Sequence, residues 1–178
     1  MMEKRQWLTP EKITNLDAFR EYLIYGGQLW SDETSLFYIS RYFGVIERYS
    51  LSGELIARKD LSNDLGENAR AKAMANKKSL IQSTEIKLVK GKPEAHELFM
   101  DSYLSNGYLY LLMSEYDFLN NRPTEVIDVR QINTNTLQVS SVYSVKTSRK
   151  ERSSNVCARS VNGQPIIIVD ITSETGLD

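Results

Sequence analysis

The chain contains one cysteine, one histidine and no apolar run approaching the length of a membrane span. Cys157 alone cannot close an internal disulfide or anchor a thiolate-rich metal site. His96 alone excludes a pair of imidazole ligands on one metal. The apolar runs fall well short of the roughly 20 residues a spanning helix needs, and the opening MMEKRQWLTPEKITNL lacks the apolar stretch of a secretory leader. Charge of one sign is missing too. With 22 Lys and Arg against 23 Asp and Glu, the formal net charge of −1 provides no basic excess for nucleic acid. Glycine-rich phosphate loops, a serine-centred nucleophile elbow and paired histidines on a helix are all absent from the sequence. Tyrosine, by contrast, is plentiful: ten tyrosines in 178 residues suit half-buried strand faces better than disorder. A chain of this length can bury roughly two thirds of its unfolded surface as one domain.

Internal repetition sets the architectural expectation. SLFYIS (35–40), VIERYSL (45–51) and LIARKDL (55–61) are short apolar-rich runs with tight separations, the pattern of an antiparallel meander. The order returns as YLYLLM (108–113), VIDVRQI (126–132) and QVSSVYSV (138–145). Leu36 against Leu109 gives an offset of 73 and Val45 against Val126 gives 81, so the second copy has eight extra residues in its first loop. Loops absorb such insertions cheaply. A further run precedes each copy: REYLIYGGQLW (20–30), ELFMDSYL (97–104) and, before a third partial copy, NVCARSV (155–161). Asn106-Gly107 and Asn162-Gly163 are predicted to be type I′ hairpin turns joining the first and second strands, because both residues of such a turn need positive φ. In the first copy the corner is DETS (32–35). Outside the repeat, Thr9 and Pro10 predict a helix start, with Ile13, Leu16, Phe19 and Leu23 near one stripe. NDLGENARAKAMANKKSLIQ (63–82) predicts an inserted surface helix.

Repeated four-strand meanders with Gly- or Asn-bearing turns are how propeller blades read. On SLFYISRYFGVIERYSLSGELIARKDL and SNGYLYLLM…TEVIDVRQINTNTLQVSSVYSV, the chain resembles the bacterial six-bladed β-propeller family, with TolB-like and NHL-like blades. The resemblance implies an all-β fold: an incomplete β-propeller of about two and a half four-stranded antiparallel blades, with a short N-terminal helix and one inserted helix. The expected layout is a single partial domain, with blade one over about 20–61, the inserted helix and linker over 62–96, blade two over 97–146 and the first half of blade three over 154–171. Family members are commonly exported or envelope-associated, whereas this chain shows no export signal, so its compartment is left unassigned. The family includes non-catalytic binding propellers and calcium-dependent lactonase- or hydrolase-type enzymes.

Of these two, a non-catalytic module for a protein, peptide or carbohydrate ligand is the expectation, with self-association through exposed blade faces; a truncated fragment of a larger propeller, with no function of its own, is the third alternative. The loop SEYDFLNNRPTE (114–125) provides the candidate ligand-facing residues Tyr116, Asp117, Asn120, Asn121 and Arg122. Glu115, Asp117, Asn120 and Asn121 are oxygen-rich enough to suggest calcium, but they lack the ordered alternation of an EF-hand loop. The enzymatic alternative needs carboxylates and amides converging near the propeller axis, for which Asp101, Asn106 and Asn162 are the candidates. No cofactor is otherwise implied. His96 is expected as a solvated loop residue, Cys157 as a small buried strand residue, and Arg70, Lys72, Lys77 and Lys78 as a solvated helix face. Tyr38, Tyr49, Tyr108, Tyr110 and Tyr143 alternate within strands. They are expected to pack between blades, and any that face outward offer a stacking surface for sugars.

Overall fold

The computed structural model describes residues 16–83, 88–89, 92–147, 151–161 and 164–173. In chain order the elements are α1 (Leu16–Tyr25), β1 (Gly27–Ser31), β2 (Ser35–Ser40), β3 (Val45–Ser50), β4 (Leu55–Asp60) and α2 (Glu67–Asn76), which continues as a π-helical turn over Lys77–Gln82. Then follow β5 (Leu88–Val89), β6 (Lys92–Pro93), β7 (Phe99–Ser105), β8 (Tyr108–Met113), β9 (Tyr116–Asp117), β10 (Arg122–Pro123), β11 (Val126–Asn133), β12 (Gln138–Lys146), β13 (Glu151–Val161) and β14 (Gln164–Ser173). The described chain is mostly antiparallel β. β1 to β4 form one four-stranded sheet in chain order, β7, β8, β11 and β12 a second, and β13 and β14 a hairpin. Two further two-stranded pairs, β5 with β6 and β9 with β10, complete the set.

Strand composition follows burial. β4, with Arg58, Lys59 and Asp60, is largely exposed, whereas β8 reads YLYLLM and is buried on nearly every residue. A strand with both faces covered needs no polar alternation, and β8 shows none. Leu109, Leu111 and Met113 join Ile39 and Ile46 of the first sheet in one core. Tyr110 and Leu112, on the opposite face, join Val156 and Ala158 of the hairpin in a second. The second sheet is therefore the middle layer of three. At one margin the first strands of the layers adjoin through polar contacts. Trp30 Nε1 donates to Ser102 Oγ at 2.7 Å, Gln28 Nε2 donates to Asp101 Oδ1 at 3.2 Å, and Val156 N donates to Asp101 Oδ2 at 3.0 Å.

The predicted Asn106-Gly107 turn has φ of 50° and 75°, the doubly positive geometry a type I′ corner requires. Thr134 N and Oγ1 both donate to Gly107 O, tying the corner to the end of β11. Asn162-Gly163 lies outside the described residues, as do Thr9, Pro10 and Ile13. The predicted N-terminal helix is present as α1, which holds Leu16, Phe19 and Leu23; it takes the first part of the strand run placed over 20–30, and β1 begins only at Gly27. The Tyr25–Gly27 corner explains the break. Tyr38 donates its hydroxyl to Tyr25 O at 2.9 Å, and its ring lies so close over Gly27 that a Cβ there would sit 2.6 Å from it and 2.3 Å from Ile39 O.

The inserted helix is present as α2, solvated on one side only: Glu67, Arg70 and Met74 are exposed, whereas Ala69 and Ala73, with Leu65 just before the helix and Leu80 in the π-helical turn, are buried, Leu65, Ala69 and Ala73 in the core shared by the first and second sheets. Asn76 fixes it: Nδ2 donates to Tyr42 O and His96 O, each at 2.7 Å, while Oδ1 accepts from His96 N at 2.8 Å. Arg20 of α1 donates to Ser83 O at 2.7 Å and to Leu80 O, placing a cation on the carbonyls that end the π-helical turn.

Gly27 is exposed, so a surface rule would permit alanine there; the close approach of Ile39 O and Tyr38 forbids it. Gly27→Ala is expected to lower unfolding free energy by about 1–3 kcal/mol, the usual cost of forcing atoms into filled space, measured by urea denaturation.

Candidate functional site

A cavity of about 520 Å³ opens between the amino end of α2, the β9–β10 ribbon and β11. Its size falls in the range of about 300–1,000 Å³ usual for small-ligand sites. Local sequence accounts for each wall. Gly66, with φ of 103°, starts α2 and has no side-chain cap, and Glu67, Asn68 and Ala69 of the first turn line the cavity with it. From β11, Arg130 reaches in beside Gly66. A Cβ on Gly66 would stand 3.5 Å from its Nη2.

Arg130 is the unusual group. Its side chain is 17% exposed, Nη2 pairs with Asp128 Oδ2 at 3.2 Å, and its buried Nε has no acceptor among the described residues. An unsatisfied buried donor costs about 1–3 kcal/mol, so each one in a native fold calls for an explanation. Four carboxylates (Glu67, Asp117, Glu125 and Asp128) line the cavity against the guanidinium groups of Arg122 and Arg130. Its walls are thus bipolar, with acid in excess.

The five loop residues divide between two tasks. Asp117, Asn120 and Arg122 line the cavity. Tyr116 and Asn121 hydrogen bond to each other, Asn121 having the positive φ that closes the ribbon. Asn120 donates from N at 3.1 Å and from Nδ2 at 2.7 Å to the Asp117 carboxylate. These bonds, with Arg122 nearby, hold that carboxyl below its ordinary range. Asn68 of α2 clips the ribbon in place, donating from Nδ2 to Tyr116 O at 2.9 Å and accepting from Phe118 N at 2.8 Å.

One turn further along α2, Lys72 corrects the solvated-face expectation. Its side chain is 1% exposed and its ammonium lies 5.9 Å from the Tyr116 ring centroid, while Arg70, Lys77 and Lys78 remain exposed. Burial pulls its pKa down to about 8 against the pull of Asp117 and Glu97. The signal for this was present in the sequence: Leu65, Ala69, Lys72, Ala73 and Asn76 recur at helical spacing on one stripe. His96 is likewise half-buried, not solvated. Its ring centroid is 4.5 Å from that of Phe118, and burial lowers its pKa, opposed by Glu94 and assisted by Lys72.

The calcium candidates are engaged in hydrogen bonds within the protein. Glu115 accepts from Ser153 N at 2.6 Å, Asp117 serves Asn120 and Asn121 serves Tyr116. Asp101 bridges Gln28 and the Val156 amide, Asn106 sits in the exposed turn after β7, and Asn162 lies outside the described residues. Among the described residues no group of three or more His, Cys, Asp and Glu is arranged to hold a metal ion. Cys157 is half-buried and pairs in register with Ile168 on the outer face of the hairpin, rather than in a core.

The tyrosines separate by layer. Tyr108, Tyr110 and Tyr143 gather around Gln131 beside a smaller cavity of about 300 Å³ between the middle sheet and the hairpin. Gln131 Nε2 donates to Tyr110 OH at 3.0 Å. Tyr38 and Tyr49 are half-buried on the outer face of the first sheet. Among the described residues no helix is long and apolar enough to cross a membrane. A scan against protein-family models finds no match, and searches of curated proteins and of solved structures return none either.

The Lys72 ammonium gives a signed prediction. In the fold it loses its proton near pH 8, unfolded near its ordinary 10.5, so between these values the unfolded chain binds more protons and stability rises with pH. Tyr42, pushed up to about 12 by burial, turns the curve down once the unfolded tyrosine ionises at its ordinary 10.0. Lys72→Met, which keeps an apolar stem without the charge, is expected to gain on the order of 1–3 kcal/mol at pH 7. It should also lose the rise between pH 8 and 10 in urea melts.

Proposed function

We propose that the chain is a non-catalytic binding module of propeller-type blades whose ligand, a short peptide or similar small polar molecule, sits in the cavity between α2 and the β9–β10 ribbon. The observation that carries the proposal is the Arg130 guanidinium, largely buried beside Gly66 on the wall of a roughly 520 Å³ space. A carbonyl or carboxylate oxygen from a ligand would accept from that guanidinium. The carboxylate excess on the remaining walls favours a ligand that also brings N–H or ammonium groups, as peptide segments do. The blade reading is supported by two four-stranded meanders of the same strand order, packed in layers with their first strands adjoining. Resemblance to binding propellers agrees with it.

The test is a pooled short-peptide titration followed by amide NMR. Ligands are expected to shift amides of residues 66–69 and 117–126. Arg130→Gln should weaken them by about tenfold or more, the usual loss for a charge-assisted hydrogen bond. Thr124→Trp, which puts a large ring at one of the lining positions, should abolish binding while the melt stays cooperative. Shifts elsewhere on the molecule, or equal affinity in both variants, would refute the site.

A further inference from the structure

The repeat offsets assign every strand face a direction. An offset of 73 places Phe37 and Ile39 of β2 on Tyr110 and Leu112 of β8; an offset of 56, that between the two Asn-Gly pairs, places these on Ile166 and Ile168 of β14. Ile39 looks from the first sheet toward the second, and Tyr110 and Leu112 look from the second toward the hairpin. These are forward faces. In the first two layers they are covered: Phe37 is 1% exposed, Ile39 0%, Tyr110 3% and Leu112 0%. In the hairpin the equivalent Ile166 and Ile168 are 38% and 43% exposed, with Cys157 and Arg159 opposite them in register.

Rear faces follow the same rule. Leu109 and Leu111 of β8 pack back onto the first sheet, and Ile167, their counterpart in β14, packs back onto the second. Their counterparts in β2 are Leu36 and Tyr38, half-buried on the outer face of the first sheet, with Leu29 opposite Tyr38 and 53% exposed. Each internal junction thus sets a forward face on a rear face. Among the described residues one forward face, at β13–β14, and one rear face, at β1–β2, have no covering layer.

We propose that these two faces bind one another between copies of this chain, so that the β13–β14 hairpin of one copy packs on the β1–β4 sheet of the next. The occupant is inferred from continuity. The rear face of the first sheet sets Leu36 and Tyr38 where the second sheet sets Leu109 and Leu111, beside a Glu47–Arg58 ion pair, and on the second sheet a forward face of this same chain is seen covering those positions. Because the two faces differ, the contact is heterologous, and such contacts propagate into rings or open chains and do not stop at a two-fold dimer. The pairing is independent of the ligand cavity, whose residues lie on neither face.

Sedimentation velocity under reducing conditions tests it, from about 5 μM to about 500 μM, a range that brackets weak specific contacts. The weight-average mass is expected to climb from the 20.4 kDa of a single chain past twice that value. Ile168→Glu blocks the forward face and Leu29→Glu the rear face. Both side chains are already exposed, so folding should survive, as circular dichroism will report. Each variant alone should remain monomeric, and a mixture of the two should form a 1:1 complex through the one intact pair of faces. A wild type that stays monomeric throughout, a species that stops at a two-fold dimer, or a mixture that forms no complex would overturn the proposal.

Discussion

The fold depends on covering both sides of one strand. β8 presents Leu109, Leu111 and Met113 to one side and Tyr110 and Leu112 to the other, all buried. An apolar strand of this kind is stable only if a layer lies on each face, since fully burying each large side chain contributes about 1.5–3 kcal/mol that exposure would forfeit. The first sheet provides one cover and the β13–β14 hairpin the other. From this come the layered order, the adjoining first strands and the polar contacts of Gln28, Asp101 and the Val156 amide along their margin.

α2 converts that stack into a site. Its buried stripe fills the space beside the first junction, and polar residues on the same helix hold flanking segments: Asn76 the turn at Tyr42 and the strand entry at His96, Asn68 the ribbon at Tyr116 and Phe118. With the ribbon clipped to the helix, Gly66 and Arg130 are left facing the same space. Lys72 is the cost of that arrangement. Its ammonium is enclosed beneath Tyr116 in a position where a neutral side chain would be more comfortable. Retaining a charge there keeps an ion beside Asp117, a wall of the cavity.

Much of the sheet content was legible because period-two alternation and turn chemistry agree. SLFYIS, VIERYS and LIARKD could be read as a meander, and Asn106-Gly107 could be read as a corner, since few other residues tolerate two consecutive positive φ values. The helix face was harder. ENARAKAMAN is rich in charge and alanine, and alanine reads equally well as a solvated helix former or a close-packing residue; only the tertiary approach of Leu98, Leu109 and Leu111 decides between them. The break between α1 and β1 escaped a linear reading because it is made by Tyr38, thirteen residues from its partner Tyr25. Loop chemistry pointed to Asp117, Asn120 and Arg122, but Gly66 and Arg130 belong to the cavity through tertiary placement that no local pattern encodes. Nor does the sequence alone reveal a buried Nε with no acceptor among the described residues.

Methyl–methyl nuclear Overhauser contacts on selectively labelled Ile, Leu and Val side chains test the layered account most directly. Contacts from Leu109 and Leu111 to Ile39 and Ile46, together with contacts from Leu112 and Val129 to Val156 and Ile167, are the predicted result. A spectrum in which Leu112 and Val129 show no contact to the hairpin, or in which Leu111 and Leu112 share the same distant neighbours, would contradict the two-sided burial of the middle sheet.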